Sequence, residues 1–295
     1  MSCSHLNFPV HAARRAAAVI VACVAVLVAG CGPLAVVNVL SPSGHYTRVA
    51  DQAYGEAPRQ KLDLYRPSEA SSYASGEAPV VVFFYGNGWR KASKNDFEFV
   101  AASLTEAGVV VVIPDYRAHP EVSFPTFVED GAKAVAWATR NLDGVAEGER
   151  PLFLMGHSAG AQIAALLALD GQYLDAVESP PLAGFIGLSG PYDFLPLEPG
   201  YMQEVFPEDT RPASQPINFV SADAPPTLLI HGTGDERVLP EHSERLAEAL
   251  EAEGVPVTLR FYEDMGHARV VVALAPPLQF IADTMPDTIA FIESD

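Results

Sequence analysis

Polar motifs stand at the ends of apolar runs, in an order that could carry out acyl transfer. Gly156-His157-Ser158-Ala159-Gly160 follows the apolar run Leu152–Met155 and precedes the Ala/Leu-rich stretch AQIAALLAL. This is G-x-S-x-G between a strand and a helix: the glycines permit a sharp turn that lifts a serine hydroxyl clear of the backbone. The helix N-terminus behind it favours developing negative charge. A serine hydroxyl is a weak nucleophile, so an acid and a histidine have to follow it in the chain. Asp235, in HGTGDERVLP after Thr227–Ile230, and His267, in EDMGHARV after Thr258–Tyr262, occupy those places. Ser158, Asp235 and His267 are therefore the expected nucleophile, orienting acid and base.

Rival residues fit less well. His231 precedes Asp235, too early for that order, which leaves it a structural hydrogen bond to its loop. His157 lies inside the turn and cannot readily fold back on its neighbour's hydroxyl, so packing or loop support is expected of it. His119 and His242 fall on a loop and an amphipathic helix, where solvent exposure is the default. Glu236 and Asp264 are neighbouring acids; Asp264, three residues before His267, reads as a local turn cap. H-E-x-x-H, C-x-x-C, G-x-G-x-x-G and Walker A patterns are absent, so neither a metal nor any other cofactor is expected.

Strands must deliver these groups to one edge. Val80–Tyr85, Val109–Pro114, Leu152–Met155, Phe185–Leu188 and Thr227–Ile230 are apolar runs of strand length. Between them, apolar residues recur at helical spacing, as in Val128, Ala132, Val135 and Leu142. Gly108 and Gly254 are stop signals, and Pro240 suits a helix start. Such alternation implies an α/β fold with a doubly wound, mostly parallel sheet. Tyr46–Ala50 and Lys61–Tyr65 read as additional antiparallel strands before it. Ligands in such sheets sit beyond the carboxyl ends of the strands, where all three expected residues fall.

GHSAG, HGTGDERV and MGHARV in this order, with PDYR at Pro114–Arg117 and FPTFVEDGAKAVAWATRN from Phe124, resemble the α/β-hydrolase fold. More narrowly they resemble its carboxylesterase branch, which includes hormone-sensitive-lipase-like and feruloyl-esterase-like enzymes and kynurenine formamidases. The resemblance runs from about Lys61 to the C-terminus. It implies a serine ester hydrolase that needs no cofactor and takes a small-molecule ester, with amide or formamide hydrolysis as the close alternative. In that branch the first parallel strand ends in His-Gly-Gly-Gly-Trp, whose backbone N–H groups form part of the oxyanion hole. Here the same place reads Tyr85-Gly86-Asn87-Gly88-Trp89. Carried over by position, the oxyanion donors are the N–H groups of Asn87, Gly88 and Ala159. Asn accepts left-handed conformations more readily than other non-glycine residues, so Asn87 is tolerable there. Tyr85 is the larger departure, because it replaces a histidine that braces the loop. A fold that keeps its shape with an impaired oxyanion loop, serving as a tethered binding protein, is the alternative from another class.

The segment between Phe194 and Pro225 is Pro-rich and short, so a modest cap is expected at about residues 195–225. Trp89, Tyr192 and Phe194 are candidates for the walls of the substrate pocket.

Composition sets the frame. The 295 residues are 49% hydrophobic and 19% charged, enough to build a sizeable core. Eighteen basic against 37 acidic residues give a net charge of −19, which argues against nucleic acid as a partner. The first 40 residues are a separate object. Arg14-Arg15, an apolar run from Ala16 to Ala29, and small residues before Cys31 follow the order of an export signal. Val28-Ala29-Gly30-Cys31 resembles the lipobox of bacterial lipoproteins, which implies lipidation of Cys31, cleavage after Gly30 and attachment to a membrane of the cell envelope. An uncleaved signal anchor and a twin-arginine signal are the alternatives. Residues 1–30 are then the signal peptide, 31–45 a tether and 46–295 a single hydrolase domain. Cleavage would leave 16 basic and 37 acidic residues, a charge of −21.

Overall fold

The computed structural model describes residues 33–68 and 78–294. One sheet of eight strands runs through it, in the order β1-β2-β4-β3-β5-β6-β7-β8. Its strands are β1 (Tyr46–Ala53), β2 (Lys61–Pro67), β3 (Val80–Phe84), β4 (Val110–Pro114), β5 (Leu152–His157), β6 (Gly184–Leu188), β7 (Thr227–Gly232) and β8 (Val257–Tyr262). β1 and β2 are antiparallel to each other, and β2 is antiparallel to β4. All other pairings are parallel.

The central strands are VVVFF, VVVIP and LFLMGH, buried at every residue. β-Branched and aromatic side chains suit a pleated surface, and continuous burial requires cover on both faces. Helices supply that cover: Glu98–Glu106 between β3 and β4, Thr126–Asn141 before β5, Ala159–Leu169 after β5 and Glu241–Ala252 between β7 and β8. Gly108 and Gly254 follow two of them with φ of 86° and 80°, the left-handed stop that glycine adopts freely. The doubly wound, mostly parallel sheet expected from the sequence is therefore present.

Ala159–Leu169 is apolar on nearly every side, and all its residues but Ala168 are buried. Such a helix belongs in the middle of a core, and it starts immediately after Ser158. The cap between β6 and β7 holds a one-turn helix, Met202–Val205, and three short 3-10 turns. Aromatic packing seats it: Phe206 lies 4.9 Å from Trp89, 5.1 Å from Phe194 and 5.9 Å from Phe124.

The signal peptide and Cys31 lie outside the described residues. The tether differs from expectation where it is described, because Pro33–Leu40 forms a helix docked on the body. Leu34 and Val37 pack against the core. Asn38 fixes the register: its Nδ2 donates to the Asn95 carbonyl at 2.8 Å, and its Oδ1 accepts from Phe99 N–H at 2.9 Å. Among the described residues no helix is long and apolar enough to cross a membrane.

Candidate active site

Ser158 sits at the turn between β5 and the following helix with φ 57° and ψ −125°, a strained conformation for a non-glycine residue. The flanking glycines are required by close approach. A Cβ on Gly156 would lie 2.3 Å from the Gly160 carbonyl oxygen, and one on Gly160 would lie 2.0 Å from that of Phe84. Ser158 N–H donates to the Leu188 carbonyl at 2.9 Å, which ties the turn to β6.

The structure brings Ser158, Asp235 and His267 together. His267 Nδ1 lies 2.7 Å from Asp235 Oδ2, and His267 Nε2 lies 2.8 Å from Ser158 Oγ. A carboxylate can only accept, so Nδ1 carries the proton and Nε2 accepts from the serine hydroxyl. Asp235 is buried, and its Oδ1 accepts from the N–H groups of Arg237 and Val238, each at 3.0 Å. Burial pushes its carboxyl up, but hydrogen bonds from His231, His267 and Val238 outweigh that and hold it well below the usual range. The acid is thus charged and oriented. Of the other acids, Glu236 and Asp264 are exposed. Asp264 is not a side-chain cap: it holds the turn with φ 53° and a main-chain N–H to Thr233 Oγ1 at 3.0 Å.

His157 supports His267 from behind. Its Nε2–H donates to the His267 carbonyl at 3.1 Å, and the two rings are 4.9 Å apart. Burial, then the neighbouring His267, pushes its imidazole down to about 3, so it stays neutral.

The loop after β3 faces Ser158, since a Cβ on Gly86 would lie 2.6 Å from Ser158 Cβ. The N–H groups of Asn87, Gly88 and Ala159 have no partner among the described residues. The left-handed positions are Gly88 (φ 59°) and Trp89 (φ 52°), not Asn87. The Asn87 side chain turns away to donate to the Lys91 carbonyl at 3.0 Å, so it adds no donor of its own.

Tyr85 braces this loop. Its hydroxyl donates to Asp115 Oδ1 at 2.5 Å and accepts from Arg59 Nη2 at 3.0 Å. Asp115 Oδ1 also takes Lys94 N–H at 2.7 Å, which fixes the far end of the loop. The ring stacks between Phe97 at 5.2 Å and Tyr116 at 5.0 Å. Trp89 Nε1 donates to Gln162 Oε1 at 2.9 Å, and Gln162 Nε2 donates to the Ser214 carbonyl at 2.8 Å, joining loop, helix and cap. The one polar side chain in AQIAALLAL was the sequence signal for this link.

With this geometry in view, the comparisons place the chain. Residues 62–250 match the BD-FAE family model. The chain belongs to the BD-FAE family. Its relatives include a kynurenine formamidase from Danio rerio, 30% identical over 233 residues and covering 76% of each chain. A probable isoprenylcysteine alpha-carbonyl methylesterase, ICMEL1, from Oryza sativa subsp. japonica is 29% identical over 239 residues, 72% of this chain. The chain spans 55% of that plant relative's length. Among solved structures, esterase B from Lactobacillus rhamnosis superposes with a TM-score of 0.71 over 95% of this chain and 96% of that one, at 18% identity. The α/β-hydrolase fold is thereby shown.

In this BD-FAE chain a cleft of about 520 Å³ opens over Ser158 and His267. Trp89 and Phe194 line it, as do Leu34, Tyr201 and Met202, which sequence reasoning missed. Tyr192 does not. It is fully buried beneath the cleft against Phe185, with its hydroxyl where Cβ atoms on Gly187 and Gly190 would otherwise sit. His242 is half-buried and lines the cleft rather than facing solvent, and burial followed by Arg245 lowers its pKa.

Proposed function

We propose that the protein is a serine ester hydrolase that works through an acyl-enzyme. The observation that carries this reading is the unbroken relay from Asp235 through His267 to Ser158, at 2.7 Å and 2.8 Å. His267 takes the hydroxyl proton as Ser158 Oγ attacks the acyl carbon, and Asp235 stabilises the imidazolium. The N–H groups of Asn87, Gly88 and Ala159 receive the oxyanion, where losing one donor typically costs about 3 kcal/mol of barrier. The alcohol leaves with the proton from His267, and water then releases the acid by the same route. Esterases among the relatives support this chemistry, and a short cap over a cleft of about 520 Å³ suits small or aryl esters.

The full chain is expected to hydrolyse p-nitrophenyl butyrate. Ser158→Ala should reduce turnover to background while leaving the circular dichroism spectrum and Tm in place. Equal rates for the two proteins across a panel of esters would sink the reading. A fluorophosphonate, which labels only an activated serine, separates an enzyme from a binding protein that leaves the relay idle.

Formamide hydrolysis is the second reading, favoured by the Danio rerio relative, a kynurenine formamidase. The same relay would serve, with His267 protonating an amine. N-formylkynurenine and aryl esters assayed side by side distinguish the two.

We also propose that the chain is exported and held at a membrane by lipid on Cys31. Arg14-Arg15, the apolar run behind them and Val28-Ala29-Gly30-Cys31 support this. Cys31→Ser should abolish labelling by a palmitate analogue; undiminished labelling would refute the anchor.

A further inference from the structure

The cleft beside Ser158 carries the opposite charge to the rest of the molecule. The chain has 37 acidic and 18 basic residues, yet among the described residues no Asp or Glu lines the cleft, while Arg90 and Arg237 both do. They come from loops after β3 and after β7, which lie on either side of β5 and its Ser158. The cations therefore flank the nucleophile rather than share one wall.

Among the described residues neither arginine has a carboxylate partner. Arg90 places its guanidinium carbon 4.9 Å over the ring of Tyr201. Glu204, in the same cap helix turn, faces His119 at 3.6 Å instead. Arg237 uses only its main-chain N–H, on Asp235. Of the ten other described arginines, five, Arg48, Arg59, Arg117, Arg245 and Arg260, have an acid within 4 Å. On a surface this rich in carboxylates, two unpaired guanidiniums at one mouth are a local reversal of sign.

That reversal has a chemical use. A body of net charge −19 repels anions at long range, and cations set in a cleft restore a favourable field where it matters. The planar guanidinium matches a carboxylate with paired N–H donors. Leu34, Phe97, Phe194, Met202 and Val271 give the cleft an apolar wall that suits the carbon skeleton between a scissile carbonyl and a remote charge. We propose that the cleft selects esters or amides bearing a carboxylate remote from the scissile bond, held by Arg90 and Arg237. This rests on the hydrolase reading above.

The carboxylate could belong to the acyl group or to the leaving group, so the test has two arms. On the acyl side, mono-p-nitrophenyl adipate is compared with p-nitrophenyl hexanoate. On the leaving-group side, 4-acetoxybenzoate is compared with its methyl ester. In at least one pair the charged substrate should have the higher kcat/KM at low ionic strength, and salt should erode the preference. The readout is the charged-to-neutral ratio of kcat/KM. Arg90→Gln and Arg237→Gln should each lower it about 10-fold, Arg90→Lys should restore part of it, and Arg140→Gln, on the helix Thr126–Asn141, should leave it unchanged. Both arginines are exposed, so their replacement does not threaten the fold. Neutral esters preferred in both arms, or a ratio unmoved in the double variant, would overturn this proposal while Ser158-dependent turnover kept the hydrolase reading. No Ser158-dependent turnover of any of the four substrates would overturn both.

Discussion

His231 Nε2 lies 3.3 Å from Asp235 Oδ2, the same oxygen that accepts the His267 proton at 2.7 Å. Its proton is shared with the Val238 carbonyl at 2.8 Å, and its Nδ1 accepts from Ser243 Oγ at 2.8 Å. The end of β7, the acid loop and the start of the next helix thus meet in one fully buried imidazole. The order of residues marks His231 as structural, and the geometry has it hold Asp235 in place. His231→Leu strands buried polar partners at about 1–3 kcal/mol each. It should lower Tm, and lower kcat about tenfold with little change in KM. His231→Gln, which keeps a donor, should recover much of kcat. Equal kcat losses in both variants would argue against positioning.

Tyr85 is the second test. Burial raises its pKa well above the ordinary phenol value, so the hydroxyl remains a donor to Asp115. Tyr85→Phe keeps the stack with Phe97 and Tyr116 but removes one acceptor from Arg59 and one donor from Asp115. A stability loss of about 1–3 kcal/mol is expected. Because Asp115 also holds Lys94 N–H, the loop should loosen and kcat should fall more than KM rises. Unchanged kcat with lowered stability would show that Tyr85 braces the fold and not the loop.

Two glycines in that loop should fail for different reasons. A Cβ on Gly86 meets the His157 carbonyl oxygen and Ser158 Cβ, each at 2.6 Å, neither of which can yield. Gly86→Ala should therefore abolish activity. A Cβ on Gly88 meets the Tyr201 hydroxyl at 2.7 Å, the tip of a side chain that is 37% exposed, and the left-handed φ adds about 1 kcal/mol. Gly88→Ala should be milder, and the double variant Gly88→Ala/Tyr201→Phe should be more stable than Gly88→Ala alone. Additive stability changes would rule out the contact.

The same residues show what was legible beforehand. The sheet could be read because its strands are short apolar runs between helical periods, and Ser158, Asp235 and His267 because each follows such a run. The loop conformation could not, because φ at Gly88 and Trp89 is set by packing, and only the position of the motif pointed to Asn87. The cleft walls were partly hidden for a similar reason. Tyr201 and Met202 lie in a cap with no periodicity, seated by Trp89, Phe194 and Phe206 across long sequence separations. Leu34 belongs to a stretch whose apolar pattern continues that of the leader, so nothing local marked it as docked. Tyr192 and Phe194 stand two residues apart, but the chain turns between them and sends one ring inward and the other to the cleft, a difference no local pattern marks.

His157 gives the last prediction, in the pH dependence of stability. Folded, its imidazole is held down to about 3 by burial and by His267. Its Nε2–H donates to the His267 carbonyl, and its Nδ1 is buried without a partner among the described residues. Unfolded, it would titrate near an ordinary value of about 6.5. Between those values the unfolded chain binds the extra proton, so stability rises with pH there and falls as pH drops, by up to about 1.4 kcal/mol per unit. Asp235, held below the usual carboxylate range, loses its contribution only at lower pH, as its folded form is protonated. His157→Gln keeps a donor for the His267 carbonyl and removes the titration. Melting curves from pH 7 to 4 should therefore converge, the wild type losing Tm faster than the variant. Parallel curves would mean that the buried imidazole takes its proton without unfolding, and that the space around Nδ1 admits a counter-charge or water.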